Sequence, residues 1–404
     1  MVRRPIGGEG HGPRRRATRG TAGALVLLVL ALALVTPAPS AGAAAHRAVQ
    51  DPPEAVDDET VEEVVGAAVG YLLDQQGPDG GFGEGARTPN AVSALAQRAQ
   101  TSDTWSAKEA IDAVSAAESD DGATPLEALD LLAQDDPPPE LAAQLISRAV
   151  AAMGLDPENF DPAGDGDPVD LVRRVAVGRR EDGSYGSFAA TAEAVLALTL
   201  VGRPVNEATV SLLADAQQDN GGWNADADPD GDAVDPVTTG LVVEALVAAG
   251  VPADGDTPVA RARSFLTLTQ DASGGWPAVR DGEPLPDATA WAMGAIRALG
   301  YDPAEGCWRV GDEQGEPYRS PVASLVDSQH DDGALAGTLD PVSSTSLGVQ
   351  ALVGRWLPVT RAPAVSCGGD DAGGLAVPLS LVILVVIALV LLVGSVAIMR
   401  RSAS

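Results

Sequence analysis

The 404-residue chain is poor in lysine, aromatic residues, histidine and cysteine. Lys108 is the only lysine, and the sequence holds four Phe, four Tyr, six Trp, three His and two Cys. Against 26 basic residues stand 57 acidic ones, which gives a formal net charge of −31. A chain this acidic repels phosphate backbones and attracts cations, so nucleic acid is excluded as a partner. An acidic coat that only keeps the protein soluble explains the same composition.

Both ends of the chain are typical of an exported, anchored protein. Arginines, an uncharged apolar run at 22–35 and small residues at 41–43 form the pattern of a secretory signal peptide over residues 1–45. Residues 375–398 are uncharged and rich in Leu, Val and Ile, as expected of a transmembrane helix. Two arginines in the tail at 399–404 place that tail in the cytoplasm. We therefore predict a single-pass cell-membrane protein with an extracytoplasmic ectodomain.

The two cysteines fall in the exported part of the chain. Because that compartment is oxidising, Cys307 and Cys367 are predicted to form one disulfide. It would close a loop of about sixty residues, with a stabilisation on the order of 4 kcal/mol in the loop-entropy model. The bond would tie an acidic, Gly-rich stem at 359–374 to the last repeat. The stem is preceded by the start of a sortase-like signal at 357–360, but Arg361 stands where that signal needs glycine.

A repeat fills residues 60–358, after a linker at 46–59. A glycine turn, often preceded by glutamine and followed by an aromatic residue, recurs at 75–82, 181–185, 217–223 and 270–276, with weaker copies at 119–122 and 328–333. Apolar residues with helical spacing precede the turns, so each repeat is predicted as helix, loop, helix. Six such pairs must stack to bury their apolar faces, in a closed double ring or an open solenoid.

Two further columns of residues accompany the turns. A threonine is followed six positions later by alanine and an apolar residue in five copies: Thr88, Thr191, Thr239, Thr289 and Thr345. A glycine stands eleven positions after the threonine in three of them: Gly202, Gly250 and Gly300. We interpret the threonines as helix N-caps and the glycines as left-handed C-caps.

The glutamine, glycine pair and aromatic residue resemble the QW repeat of squalene and hopene cyclases, and are related to the repeats of protein prenyltransferase β subunits. The likeness is most specific at the copies ending in Trp223 and Trp276, and it covers most of the exported region. It implies an all-α fold: an (α/α)6 toroid in which six outer helices surround six inner ones, with a cavity opening at one end.

The catalytic groups of these families are only partly matched. In class II terpene cyclases, the middle aspartic acid of an Asp-x-Asp-Asp-Thr-Ala motif protonates the substrate. Here the segment 285–290 places Asp287 on that donor, but Leu285 and Ala288 replace its acidic companions. The zinc ligands of the prenyltransferases and the Cys-Gly-Glu-Gln sequence of thioester domains have no counterpart, and the few aromatic residues cannot line a cavity that steers carbocations.

These departures favour a non-catalytic function. A weaker likeness to cobalamin carriers implies a toroid that acts as a wall around a ligand, serving an uptake system or completed by a second-domain protein partner. We therefore predict a membrane-anchored small-molecule binding or surface scaffold module that needs no cofactor. The alternative is a squalene/hopene-type cyclase or prenyltransferase-like enzyme with Asp287 as proton donor.

The candidate ligand-binding residues lie near the starts of three predicted inner helices. They would gather at the mouth of the cavity and bind a cation, an amine or a metal-bearing compound: Asp235, Asp287 and Asp340, with Trp223, Trp276 and Trp291 as aromatic walls. The alternative for the aspartates is capping of the helices, and the alternative for the tryptophans is packing between helices.

A second candidate is a calcium loop. Carboxylates alternate at Asp226, Asp228, Asp230 and Asp232 beside a glycine, as in calcium-binding turns. Val237 stands where an EF-hand loop has its bidentate glutamate. A solvated acidic turn explains the same pattern.

Overall fold

The computed structural model describes residues 56–101, 104–164, 166–311, 319–354 and 361–366. All of them belong to one compact unit. The predicted signal peptide, transmembrane helix and cytoplasmic tail lie outside the described residues, as does Cys367. Within the described residues, no helix is long and apolar enough to cross a membrane.

The described part of the chain is built of helices and contains only isolated β-bridges, with no strand. Six helices form an outer layer: α1 (Asp58–Asp74), α4 (Pro125–Gln134), α7 (Leu171–Val177), α9 (Glu207–Asp215), α11 (Pro258–Thr269) and α13 (Pro321–Asp327). Six segments form an inner layer: α2 (Arg87–Arg98), the continuous run α5 (Pro139–Gln144), π-helix (Leu145–Val150) and α6 (Ala151–Met153), then α8 (Phe188–Leu200), α10 (Pro236–Ala248), α12 (Pro286–Ala298) and α14 (Pro341–Val353). An extra helix, α3 (Ala107–Ser115), follows α2.

The inner helices close into a ring. Each contacts the next, in the order α2, the α5–π-helix–α6 run, α8, α10, α12 and α14, and α14 packs against α2. The outer helix α1 also packs against α14, so the first and last repeats meet in both layers. This closure is that of the predicted toroid, and an open solenoid would lack it.

Burial distinguishes the two layers. Ten of the thirteen residues of α8 are buried, including both polar and apolar side chains, because the helix is covered on all sides. The outer helix α9 buries only Thr209 and Leu213. Small residues allow the inner helices to approach closely: a Cβ on Gly240 of α10 would lie 2.5 Å from the carbonyl oxygen of Trp291 in α12.

All six predicted glycine turns are present, including the two weak copies. In each, the first residue donates its N–H to the carbonyl four positions later, as from Gln218 to Gly222 and from His330 to Ala334. The glycine at the fourth position has a positive φ, for example +88° at Gly221 and +90° at Gly333. A side chain there is excluded for a second reason, since a Cβ on Gly333 would lie 2.4 Å from the carbonyl oxygen of Ala67 in α1.

The glutamine before the turn joins neighbouring repeats. Gln217 Nε2 donates to the carbonyl of Gly221 within its own turn and to that of Pro258 at the start of the next outer helix. Gln329 does the same in the last repeat, reaching Gly333 and Val64 of α1. One amide group thus fixes both the turn and the placement of the following helix, and the last copy closes the ring.

The threonines are not N-caps, and that prediction was wrong. In α10 the cap is Asp235, whose carboxylate accepts from Thr238 N at 2.9 Å, while Thr239 lies one turn inside the helix. The Thr239 hydroxyl instead accepts the backbone N–H of Trp223 at 3.0 Å. The same bond, at 2.9–3.0 Å, joins the residue that follows the turn to the threonine in the other four copies: Phe82 to Thr88, Tyr185 to Thr191, Trp276 to Thr289 and Leu335 to Thr345. The threonine column therefore fastens each turn to its inner helix.

The glycine C-caps are confirmed. Gly202, Gly250 and Gly300 have φ values of +66°, +85° and +88°. The residue after each glycine donates back to a carbonyl in the last turn of the helix, as from Val251 N to Leu246 O at 2.9 Å. This is the Schellman pattern, which satisfies carbonyls that the helix end leaves without partners.

The stem before the predicted anchor returns to the last repeats. Ala362 N donates to Ala298 O at 2.9 Å, and Val365 N donates to Gly300 O at 2.8 Å, so residues 361–366 lie along the end of α12. Cys307 is in a short 3-10 turn nearby in the sequence, at Gly306–Trp308. Because Cys367 lies outside the described residues, its pairing with Cys307 stays a prediction.

Candidate functional site

The three rim aspartates begin three consecutive inner helices, but protein groups bind each carboxylate. Asp235 caps α10 through Thr238 N, and Asp340 caps α14 through Ser343 N at 3.1 Å. Asp340 also forms a 3.1 Å ion pair with Arg87 of α2. Burial is the largest single effect and raises the pKa of Asp340, but the hydrogen bonds from Ser343 and the hydrogen bond and charge of Arg87 together outweigh it, so the pKa lies below its usual value.

Asp287 is fully buried beneath the loop that leads into α14. Its Oδ2 accepts from the Thr338 hydroxyl at 2.5 Å and from Leu339 N at 2.8 Å, and its Oδ1 accepts from Ala288 N at 2.9 Å. A Cβ on Gly337 would lie 2.2 Å from Oδ1. The carboxylate therefore joins the start of α12 to the next repeat, and neither oxygen is open to a substrate.

Two of the three candidate tryptophans pack between the helix layers, and the third contacts a buried arginine. Trp223 and Trp276 are fully buried, and their indole N–H groups donate to Leu213 O at 2.7 Å and Leu266 O at 3.0 Å in the preceding outer helices. Both rings therefore pack between the layers rather than wall a cavity. Trp291 instead lies under the guanidinium of Arg148, 5.7 Å from Cζ to the ring centroid.

The four aspartates of the predicted calcium loop are not brought together. Asp228 accepts from Asp230 N at 3.1 Å within the loop, and Arg280, from the segment before α12, donates to the Asp232 backbone carbonyl at 2.7 Å, so protein groups hold the loop. Among the described residues, no three His, Cys, Asp or Glu side chains are close enough to hold a metal ion. Calcium binding at Asp226, Asp228, Asp230 and Asp232 stays a prediction.

A buried ion pair links three inner segments of the ring. Arg148, in the π-helix, pairs with Glu193 of α8 at 2.9 Å, with side chains 10% and 5% exposed. Arg148 also donates to Ser147 Oγ at 2.8 Å and to Asn90 of α2 at 3.3 Å, and Ser147 donates to Glu193 at 3.2 Å. π-Helical turns often occur at functional sites, because the wider turn redirects side chains. Here it brings two consecutive polar residues into the same network.

Amides and hydroxyls bridge the closure of the ring between α14 and α2. The Gln350 carbonyl accepts from Ser93 at 3.0 Å and from Gln97 at 3.1 Å, while its amide donates to Ser346 O. All four residues are buried. The junction of first and last repeats is thus polar and hydrogen-bonded, which specifies this pairing of helices over a slipped one.

Glu244 of α10 is buried, and its Oε1 atom has no hydrogen-bond partner among the described residues. Burial raises the pKa of Glu244 to about 8, with Glu193 acting in the same direction and Arg148, Arg361 and Arg297 opposing it. The side chain is therefore largely protonated at neutral pH. A carboxyl group of this pKa is a weak acid, whereas protonation of an alkene needs a strong one.

The sequence analysis did not select Arg148, Glu193, Glu244 or Arg297. A signal was present for the two glutamates, because each is the only charged residue in an inner helix that is otherwise apolar and small, α8 and α10. A lone charge in such a helix indicates a buried, paired group or a functional one. The arginines carried no comparable pattern.

Comparison with known proteins identifies the fold. No model of a known protein family matches the sequence, and no curated protein sequence does. Among solved structures, the type II terpene cyclase MstE from Scytonema matches with a TM-score of 0.53 and 14% identity, over 73% of this chain and 98% of the cyclase. A variant of that cyclase bound to geranylgeranyl dihydroxybenzoate has a TM-score of 0.51 and 14% identity, over 74% of this chain and 97% of the variant.

A second terpene cyclase is less similar in structure. The ent-copalyl diphosphate synthase from Streptomyces platensis has a TM-score of 0.41 and 18% identity, over 67% of this chain and 50% of the synthase. The match to the MstE cyclase shows that the described residues have an α/α toroid fold, as the resemblance in the glycine turns implied. At these identities the likeness is one of fold.

Proposed function

We propose that this chain is a non-catalytic, cyclase-like toroid that binds a small molecule at the outer face of the cell membrane. The observation that carries the proposal concerns Asp287, which the motif resemblance matches to the cyclase proton donor: it is fully buried and accepts three hydrogen bonds. Its acidic companions are replaced by Leu285 and Ala288. A donor in this state has no proton directed at a substrate.

The ring interior also differs from a site that guides carbocations. Its polar groups form the Arg148–Glu193 pair and the Gln350 junction, and the aromatic residue placed among them, Trp291, already faces a guanidinium. An exported toroid of this kind suits a carrier or a scaffold that passes a ligand to an uptake system or a second protein. The signal peptide and anchor predicted from the sequence support the placement at the membrane.

A terpene cyclase is the second candidate, and the structural neighbours favour it. The match to this chain covers 98% of the MstE cyclase. A variant of that cyclase is bound to geranylgeranyl dihydroxybenzoate. An isoprenoid substrate is therefore the first compound class to offer to this protein.

One experiment separates the two functions. The purified protein is incubated with squalene and with geranylgeranyl substrates, and the products are analysed by gas chromatography with mass spectrometry. We expect no cyclised product from the wild type. A product that the wild type forms and Asp287→Asn does not would establish the cyclase. Thermal-shift screening with corrinoids, polyamines and calcium then searches for the ligand. If a ligand still raises the melting temperature after Asp235, Asp287 and Asp340 are replaced by Asn, these aspartates do not form the ligand-binding site.

A further inference from the structure

A cleft lies between the first glycine turn and the outer helix α4. Its volume is about 570 Å³, which is within the range of small-molecule sites. Residues of the turn and Thr88 form one side, and α4, its connection to α5 and Leu141 form the other. None of the rim aspartates is among the described residues that line it, so this α4 cleft is separate from the sites considered above.

The α4 cleft is open because α4 has a small residue where another outer helix has a large one. A Cβ on Gly81 in the first turn would lie 3.2 Å from the Cβ of Ala128 in α4. In the turn that ends at Trp223, a Cβ on Gly222 would lie 2.5 Å from the ring of Phe265 in α11, and that ring is fully buried. The phenyl ring fills the space between turn and outer helix, whereas alanine leaves that space open.

A longer loop closes the corresponding space in another repeat. In the turn that ends at Trp276, the outer-helix residue is also small, Ser324, but the loop residue Pro284 lies 2.8 Å from the Cβ direction of Gly275. The first repeat has a shorter loop, because the hydrogen bond from its turn to its threonine spans six positions rather than thirteen. The space beside Ala128 therefore remains accessible from outside.

The wall opposite the turn is apolar and stiff. Between α4 and α5 the chain passes through Pro137 and Pro138 rather than through a glycine turn, and both line the cleft. Leu131 and Leu132, near the end of α4, and Leu141 in α5 complete this wall, and Leu131 is 56% exposed. Because proline has a fixed φ and no backbone N–H, the wall offers a rigid apolar surface with few donors.

The charged groups at the edge of the α4 cleft are carboxylates. Asp79 and Asp135 line it and are exposed, while no Lys, Arg or His of the described part of the chain does so. The two arginines that approach the cleft are held in ion pairs: Arg87 with Asp340, and Arg174 with Asp136. The formal net charge of −31 also attracts cations to the protein at long range. An apolar cleft with carboxylates at its edge suits a ligand that joins a ring to a positive charge.

We infer that the α4 cleft binds a small aromatic amine. The aromatic ring occupies the space beside Ala128 and packs on the leucines and prolines of the wall, and the ammonium group lies at the edge beside Asp79 and Asp135. The inference deepens the proposed function and rests on it, since it names a site and a ligand chemistry for the binding role. Both parts of the ligand are needed, because the walls bind the ring and the carboxylates select the sign of its charge.

The test compares three probes by isothermal titration calorimetry and thermal shift on the purified full chain at pH 7. Tryptamine carries an aromatic ring and an ammonium group, indole-3-propionate carries the same ring and a carboxylate, and n-butylamine carries the ammonium group without a ring. Ionic strength is held at about 0.15 M, so that screening is equal in every sample. We expect tryptamine to bind, and the other two to bind at least about tenfold more weakly.

Matched variants locate the binding. Leu131→Arg places a cation at the cleft and should weaken tryptamine binding by about fivefold or more. Its control is Leu268→Arg: Leu268 follows Phe265 by three positions, as Leu131 follows Ala128, and it is 71% exposed outside the cleft, so this variant should bind like the wild type. Asp135→Asn should weaken binding by about three- to fivefold, as for an exposed ion pair. Asp121→Asn, an exposed position outside the cleft, should change nothing.

A third variant tests the space itself. Ala128→Phe supplies the ring that Phe265 supplies in α11, and we expect it to abolish tryptamine binding. Its melting temperature is measured in parallel. Leu131→Arg changes an exposed side chain, so the test does not depend on how well α4 accommodates the new ring.

Several results would overturn the inference. It fails if tryptamine does not bind the wild type, or if indole-3-propionate or n-butylamine binds as tightly as tryptamine. It also fails if a folded Ala128→Phe and Leu131→Arg both bind tryptamine like the wild type, or if Leu268→Arg loses as much affinity as Leu131→Arg. The non-catalytic function fails on a different readout, the formation of a cyclised isoprenoid, so the two failures are told apart.

Discussion

Replacing Thr239 by valine tests the bond that fastens each glycine turn to its inner helix. The Thr239 hydroxyl accepts the backbone N–H of Trp223 at 3.0 Å, and both residues are fully buried. Valine has the same shape but no acceptor, so Thr239→Val leaves the Trp223 N–H without a partner. An unsatisfied buried donor costs about 1–3 kcal/mol, and we expect the free energy of unfolding to fall by that amount.

The control is an isosteric change on the neighbouring inner helix. The Thr199 hydroxyl in α8 donates to the carbonyls of Val195 and Leu196 and accepts no backbone N–H. Thr199→Val therefore strands no donor, and we expect its effect to stay within about 0.5 kcal/mol. A third variant, Thr239→Ser, keeps the acceptor and should recover part of the stability that Thr239→Val loses.

Urea unfolding followed by tryptophan fluorescence measures all three variants against the wild type at pH 7. In domains of 150–250 residues, each kcal/mol lowers the melting temperature by about 2–4 °C, so calorimetry gives an independent reading. If Thr239→Val unfolds at the same urea concentration as Thr199→Val, the hydroxyl does not hold the turn. The threonine column would then reflect only the packing of a small side chain.

Two further predictions concern the buried charges. Glu193→Gln removes the buried partner of Arg148, and we expect it to lower the free energy of unfolding in urea by about 3–5 kcal/mol. As a control, Glu158→Gln breaks an exposed ion pair with Arg203 and should lower it by about 1 kcal/mol or less. Equal losses in the two variants would contradict the argument that burial strengthens the effect. Because the folded protein keeps a proton on Glu244 that the unfolded chain loses above pH 4.5, its stability should fall as pH rises from about 4.5 to about 8. Glu244→Gln should flatten that decline between pH 5 and 8, and an unchanged profile would refute the raised pKa.

Some of this architecture follows from local sequence, because the forces that set it act within a few residues. The glycine turns need a positive φ at one fixed position, and a glycine marks it even in the weak copies at Gly122 and Gly333. The C-caps at Gly202, Gly250 and Gly300 need the same backbone state and were predicted for the same reason. Repetition of the glycine turn six times limited the fold to a stack of helical hairpins.

The role of the threonine column depended on the tertiary structure. Threonine near a helix start is most often a cap, so the sequence favoured that role. In the folded protein Asp235 and Asp340 take the caps, and each threonine accepts an N–H from a residue 6 to 16 positions earlier. Such a bond forms only when the turn folds back over the helix. Its geometry is set by the packing of both layers and not by local propensity.

The candidate sites divide in the same way. The sequence alone established that Asp235, Asp287 and Asp340 begin inner helices, because helix starts are local features. It could not determine that Thr338 and Leu339 would occupy the carboxylate of Asp287, or that Arg87 would pair with Asp340 from the other side of the ring closure. Those partners lie 51, 52 and 253 residues away along the chain; packing of consecutive repeats brings the first two to Asp287, and closure of the ring brings Arg87 to Asp340. The return of the stem over Gly300 is likewise a tertiary feature, because Pro363 and Gly300 lie 63 positions apart and the sequence holds no periodic signal for their contact.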